Sequence, residues 1–187
     1  MEPTPRDRLI TTASNLFQTQ GYNSTGLNQI IAESGTPKGS LYHYFPGGKE
    51  DLAVAAINFA ANEIDVALQQ QLMAQPGLRE GLTAVLQFFM RELESSGYRK
   101  GCPVATIALE QAGHSSKIQA ACGMAYARWE NSIKLLLQAH GIAEPAVGAA
   151  RLMNALEGAL ILSRARASTL PLQQVIADLP LLLPLTE

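Results

Sequence analysis

Apolar side chains recur along this chain at three- and four-residue spacing, and nothing in the pattern reads as a pair of strands. In residues 6–20, Leu9, Ile10, Ala13, Leu16 and Phe17 fall on one helical face. Gly21 follows at the stop position, where a positive φ angle costs glycine little. Gly26, after Asn23-Ser24-Thr25, suits an N-cap, and Gln29 stands where a capping box would close. Leu27, Ile30 and Ile31 give the second helix its buried face, and Gly35 ends it. Residues 37–44 make a third short helix, with proline at its start and Leu41 and Tyr44 turned inward. A long periodic segment opens at Lys49 and runs to about Gln75, where Pro76-Gly77 stops it. Further helices are predicted at 78–95, 103–112, 115–140, 145–167 and 171–183, separated by glycine and proline. The prediction is an all-α fold of about nine helices, the first three forming a compact head.

Composition supports helix over sheet. Alanine and leucine number 53, against 27 for valine, isoleucine and threonine, which lose side-chain freedom or crowd in helices. With 47% apolar and 16% charged residues over 187 positions, the chain has enough apolar surface for a real core and is not a disordered linker. A net charge of −2 offers no bulk electrostatic argument for nucleic acid. Residues 1–50 carry four Lys/Arg (Arg6, Arg8, Lys38, Lys49) and four Asp/Glu; residues 51–187 carry ten and twelve. Any DNA contact must therefore rest on particular positions. The two cysteines, Cys102 and Cys122, make no disulfide framework and read as buried thiols. The N-terminus lacks a secretion-signal pattern, and no window is a run of about 18 consecutive apolar residues, so a cytoplasmic protein outside the membrane is expected.

The chemistry-bearing stretch is Thr25 to Phe45. A helix–turn–helix needs one helix across the phosphate backbone, a tight turn with glycine, and a second helix for the major groove. Gly35 supplies the turn, and Thr36, Pro37, Lys38 and Ser40 cluster at the start of the second helix. Gly39 lets that helix approach DNA closely, while Leu41 and Phe45 pack inward. Five of the eleven aromatics (Phe17, Tyr22, Tyr42, Tyr44, Phe45) lie in the first quarter of the chain. Tyr42, His43 and Tyr44 cannot all point inward from one helix, and Tyr42 and His43 are read as phosphate donors.

Thr25, Ile30-Ile31, Ser34-Gly35-Thr36-Pro37, Gly39-Ser40-Leu41-Tyr42-His43-Tyr44-Phe45 and Lys49-Glu50-Asp51-Leu52 together resemble the head of the TetR family of bacterial transcription regulators. Departures are Ile31 for a small residue, Thr36-Pro37 for Val-Ser, and one extra residue in Pro46-Gly47-Gly48. These departures, with Thr25 to Ile30, resemble the LmrA/YxaF-like subgroup, as does Gly101-Cys102-Pro103 followed by Leu109-Glu110. The resemblance implies a homodimer on a pseudo-palindromic double-stranded operator. Residues 1–50 would be the DNA-binding domain and 51–187 an effector-binding and dimerisation domain. By position it implies that Thr36, Lys38 and Ser40 read base edges, while Thr25, Tyr42, His43 and Lys49 hold phosphates. Lys49 also heads the fourth helix, whose positive end favours an anion.

Residues 145–167 are apolar nearly all round, so that helix is either central or pressed against another subunit. The segment 170–185 is similarly rich, ending in Leu181, Leu182, Leu183 and Leu185. An intramolecular core is one explanation; the resemblance implies a dimer through these last two helices. For an effector pocket the candidates are Phe59, Phe88, Cys102 and Thr106, with Met124, Trp129, Met153 and Glu157. They mix large apolar surface with a few polar groups, although each also suits plain core. The resemblance suggests a small, largely apolar effector. Enzyme readings fare badly: Gly35 to Ser40 lacks the Gly-Lys-Ser/Thr order of a phosphate loop, and no Gly-x-Ser-x-Gly occurs. His43, His114 and His140 show no metal spacing, so neither metal nor cofactor is expected. The expected function is a ligand-responsive dimeric repressor. The alternatives are a helical ligand-binding or interaction protein without DNA binding, or an activator with the same head.

Overall fold

The computed structural model describes residues 2–183. Leu185, counted in the apolar pattern above, lies outside them. The described residues form α1 (Pro5–Gln20), α2 (Leu27–Ser34), α3 (Lys38–Tyr44), α4 (Lys49–Met73), α5 (Leu78–Ser95), α6 (Pro103–Gln111), α7 (Ser116–Ala139), α8 (Pro145–Arg166) and α9 (Leu170–Leu182), with no strand among them. The predicted all-α architecture is observed, with element ends within a few residues of the glycine and proline signals.

The chain packs as two compact units. The first comprises the residues up to Glu63 together with Cys102–Ala125; the second comprises Ile64–Gly101 and the chain from Tyr126 onward. Helices α4 and α7 thus supply residues to both. The division differs from a simple break at residue 50, because α6 packs on α1 and joins the first unit.

In the first unit, α1 packs against α2, α3 and α6. Leu9, Ala13, Phe17, Ile30, Leu41 and Leu52 are completely enclosed there. A capping box starts α1: Thr4 Oγ1 accepts from Asp7 N–H at 3.2 Å, and Asp7 accepts from Thr4 N–H at 3.1 Å. The box expected at Gly26 does not form. Gln29 instead pairs with Gln20 at 2.8 Å and donates to Glu33 at 2.9 Å, leaving α2 without a side-chain cap. Tyr44, expected inward, is 37% exposed; Leu41 and Phe45 already occupy the inner face of so short a helix.

In the second unit, α8 packs against α9, and both touch α5. Gly148 brings the start of α8 close to its neighbours, since a Cβ there would lie 2.7 Å from Leu183 and 2.9 Å from Leu137. Helix α8 has length and composition sufficient to cross a membrane, a property core helices of folded proteins share. It is not apolar for want of an outside: Leu152, Met153, Ala159 and Leu160 face inward, whereas Val147, Ile161 and Leu162 are exposed.

Candidate nucleic-acid interface

The turn between α2 and α3 is built tightly. Gly35 adopts left-handed backbone angles (φ 61°, ψ 28°), which glycine reaches without the clash a Cβ would bring. Its N–H donates to Ala32 O, and Thr36 N–H donates to Ile31 O. Arg8, on α1, donates from Nε to Ser34 O at 3.2 Å and from Nη1 to Pro3 O at 3.3 Å. Pro37 caps α3, where a helix has no use for its missing N–H, and its carbonyl accepts from Ser40 N–H at 2.9 Å. Leu41 and Phe45 seat α3 on the core, and the Arg6 guanidinium lies 5.8 Å from the Phe45 ring centre.

This seating turns Pro37, Lys38, Gly39, Tyr42 and His43 outward, with Ser40 half-buried beside them. Gly39 has open space where a Cβ would stand. The His43 and Tyr44 rings meet edge to face at 4.9 Å. One face of a short helix therefore presents an ammonium, a hydroxyl, a phenol and an imidazole around a bare glycine. Such donors suit phosphate oxygens and the acceptors N7 and O6 of guanine.

Two of the predicted contact residues fall elsewhere. Thr25 is fully buried; its hydroxyl donates to Gly21 O at 2.6 Å and accepts from Gln20 at 3.1 Å. Thr36 is 5% exposed, with its hydroxyl against that of Ser34. Both threonines close turns with their side chains, so neither hydroxyl faces outward. Lys49 is half-buried, its ammonium 4.2 Å from the Tyr22 ring centre. Partial burial pulls its pKa below the ordinary lysine value, and the Glu110 carboxylate partly offsets this.

The sequence reading missed Arg8, Asn23 and the residues of α6 and α7 that hold this head. Glu110 accepts from Asn23 N–H at 2.6 Å, and Gln111 donates to Asn23 Oδ1 at 2.7 Å. Lys117 bridges Asp51 at 3.2 Å and Glu50 at 3.7 Å. His114 is exposed on the turn after α6.

The effector candidates divide between the units. In the first, Phe59 is half-buried, and Cys102 caps α6 by accepting from Ala105 N–H at 3.4 Å. Thr106 donates to Cys102 O at 3.1 Å. Met124 is 71% exposed, on a face of α7 turned to solvent rather than to the interior. In the second unit, Phe88 stacks edge to face on Phe89 at 5.4 Å, and Met153 is buried. Glu157 is half-buried, and buried Trp129 meets Tyr126 edge to face at 5.7 Å. Asp65 accepts from Arg128 at 2.8 Å and is hydrogen-bonded to Trp129; burial nevertheless raises its pKa above the ordinary carboxylate value. Among the described residues no three of His, Cys, Asp and Glu stand together as metal ligands do.

Burial pushes the Cys122 thiol up to about 11. At neutral pH fewer than about one thiol in a thousand would then be the reactive thiolate. Iodoacetamide at pH 7.5 is accordingly expected to leave Cys122 of the folded protein unmodified over minutes and to label it fully in guanidinium, as read by mass spectrometry.

A left-handed glycine turn, a short helix with an outward donor face and a supporting α1 define a DNA-binding protein of the helix–turn–helix class. Residues 9–56 match the bacterial regulatory proteins of the tetR family, and residues 79–178 match the C-terminal domain of LmrA/YxaF-like transcriptional regulators. The chain is 37% identical over 180 residues to the HTH-type transcriptional regulator LmrA of Bacillus subtilis, covering 95% of this chain and 96% of that protein. It is 35% identical over 179 residues to the uncharacterized HTH-type regulator YxaF of the same organism, covering 95% and 94%. Its fold resembles that of reduced E. coli NemR, with a TM-score of 0.83 at 22% identity over 96% of this chain and 97% of that one. The chain belongs to the TetR family of transcriptional regulators, in its LmrA/YxaF-like branch.

Proposed function

We propose that this protein is a ligand-responsive, dimeric, cytoplasmic transcriptional repressor. The observation that carries the reading is the outward face of α3, where Lys38, Gly39, Ser40, Tyr42 and His43 stand beside the Gly35 turn. In this reading Lys38 and Ser40 read base edges, Pro37 and Gly39 permit close approach, and Tyr42, His43 and Lys49 bind phosphates. Residues 1–50 carry the DNA contacts, and residues 51–187 carry effector binding and dimerisation.

The exposed apolar side chains Val147, Ile161 and Leu162 on α8 and Leu170 and Leu181 on α9 support a dimer through these two helices. A two-fold pair of heads suits half-sites about 34–36 Å apart. The effector is small and largely apolar. Phe88, Trp129, Met153 and Glu157 offer it apolar walls and a polar group in the second unit; Phe59, Cys102 and Thr106 are candidates of the same kind in the first. Binding shifts α4, and the operator is released.

Footprinting on the DNA upstream of the protein's own gene tests this reading. Protection that disappears on adding a small aromatic hydrophobic compound supports it, and no protection even at low salt refutes it. Within the protected site, Lys38→Ala is expected to cut discrimination between operator and random duplex by roughly tenfold or more. Lys49→Ala is expected to weaken both alike and to reduce the salt-dependence slope by about 0.9. Equal losses on both duplexes for Lys38→Ala would remove its base-reading role.

A further inference from the structure

The turn before α2 and the first turn of α4, just past α3, are gripped by one stretch of chain, Glu110 to Lys117, far away in sequence. At the entry, Glu110 accepts from Asn23 N–H at 2.6 Å while Gln111 donates to Asn23 Oδ1 at 2.7 Å. Gly21 (φ 87°) leaves room for this: a Cβ there would collide with Glu110 Oε1. The same glycine's carbonyl accepts the Thr25 hydroxyl at 2.6 Å, which ties the gripped turn to the start of α2. At the exit, Ser115 is hydrogen-bonded to Glu50, and Lys117 bridges Glu50 and Asp51. Asp51 in turn accepts from Gly47 N–H at 2.6 Å. Glu110 also acts electrostatically on Lys49, the first residue of α4.

These contacts are poorly placed to hold the fold together. Asn23 and Lys117 are exposed and Glu110 is half-buried, so water competes for each bond. The enclosed side chains of Leu9, Phe17, Ile30 and Leu41 supply the packing. What directional bonds before α2 and just past α3 supply is orientation.

We propose that Glu110 is a positioning residue for DNA recognition, holding the α1–α2 turn so that α2 and α3 meet DNA at one fixed angle. Glu110 touches no base or phosphate in this role; it acts through Asn23. The inference rests on the reading of the first three helices as a DNA-binding head.

The test measures binding of the full-length protein to the duplex protected upstream of its own gene, across a salt series, for three variants. E110A removes the acceptor, E110D keeps the charge but shortens the reach, and E110Q keeps an acceptor oxygen at the original reach. E110A and E110D are expected to bind about five- to tenfold more weakly, with E110Q within about twofold of wild type. The salt-dependence slope should be unchanged in all three, because no phosphate contact is lost. Hydrogen exchange at Asn23 N–H should quicken in E110A and E110D and stay slow in E110Q. That pattern supports positioning, and E110D and E110Q supply it even if E110A folds poorly. Wild-type affinity in E110D, E110Q as weak as E110D, or a slope reduced by about 0.9 would each overturn it. A wild-type protein without affinity for any duplex at low salt would instead remove the DNA-binding reading, and this inference with it.

Discussion

The double substitution Ile161→Arg and Leu162→Arg is expected to yield a monomer that no longer protects its operator. Both side chains lie on the outer face of α8, 51% and 45% exposed, whereas Leu160 and Ser163 beside them are buried. The substitutions therefore leave the core of the second unit intact. In a dimer packed through this face, each arginine would be an unpaired charge in an apolar contact, costing several kcal/mol. Loss of the second head turns two-point attachment into one, which lowers operator affinity by roughly 100-fold or more. Sedimentation velocity at micromolar protein, together with binding to the protected duplex, checks both parts. A double variant that sediments as a dimer would refute the α8 interface. A monomer with undiminished operator affinity would refute the two-headed reading of DNA.

The parts of this architecture that are local in sequence were legible there. Glycine and proline punctuation marked nearly every helix end, and the left-handed angle at Gly35 follows from the residue that stands there. The outward face of α3 followed from helical spacing once Leu41 and Phe45 were assigned inward. Thr25 and Thr36 were misread because a threonine hydroxyl serves a phosphate and a nearby carbonyl or hydroxyl equally well. Nothing in the residue type decides between them; the Gly21 carbonyl and the Ser34 hydroxyl do. Met124 failed for a related reason: on a long helix, apolar spacing does not say which faces find a neighbour. The grip of Glu110 on Asn23 spans 87 positions and has no periodic signature. For the same reason the packing of 102–125 with the first three helices was invisible to composition. Bulk charge was silent about the head, since the four Lys/Arg and four Asp/Glu of residues 1–50 cancel.

Phe17→Ala is expected to destabilise the protein by about 3–5 kcal/mol, the usual cost of emptying a buried aromatic site. Phe17 is completely enclosed at the heart of α1, with its ring 5.4 Å from that of Tyr22. Few large side chains share the burden in a head this small; Leu9, Ile30 and Leu41 are the other fully enclosed large ones on α1 to α3. The cavity left behind therefore has little flexible material to collapse into it. Against a typical total of roughly 5–15 kcal/mol, such a loss removes between about a fifth and all of the stability. The thermal midpoint should fall, amides of α1, α2 and α3 should exchange faster, and DNA binding should fade as the heads open. Tyr42→Phe serves as the contrast. Tyr42 is 49% exposed, so removing its hydroxyl should leave the melting curve unchanged and weaken DNA binding alone. A Phe17→Ala protein that melts with wild type would mean that α1 is not the keystone of the head. A Tyr42→Phe protein that loses stability, with DNA affinity falling only in proportion, would place that phenol in the packing and take it off the interface.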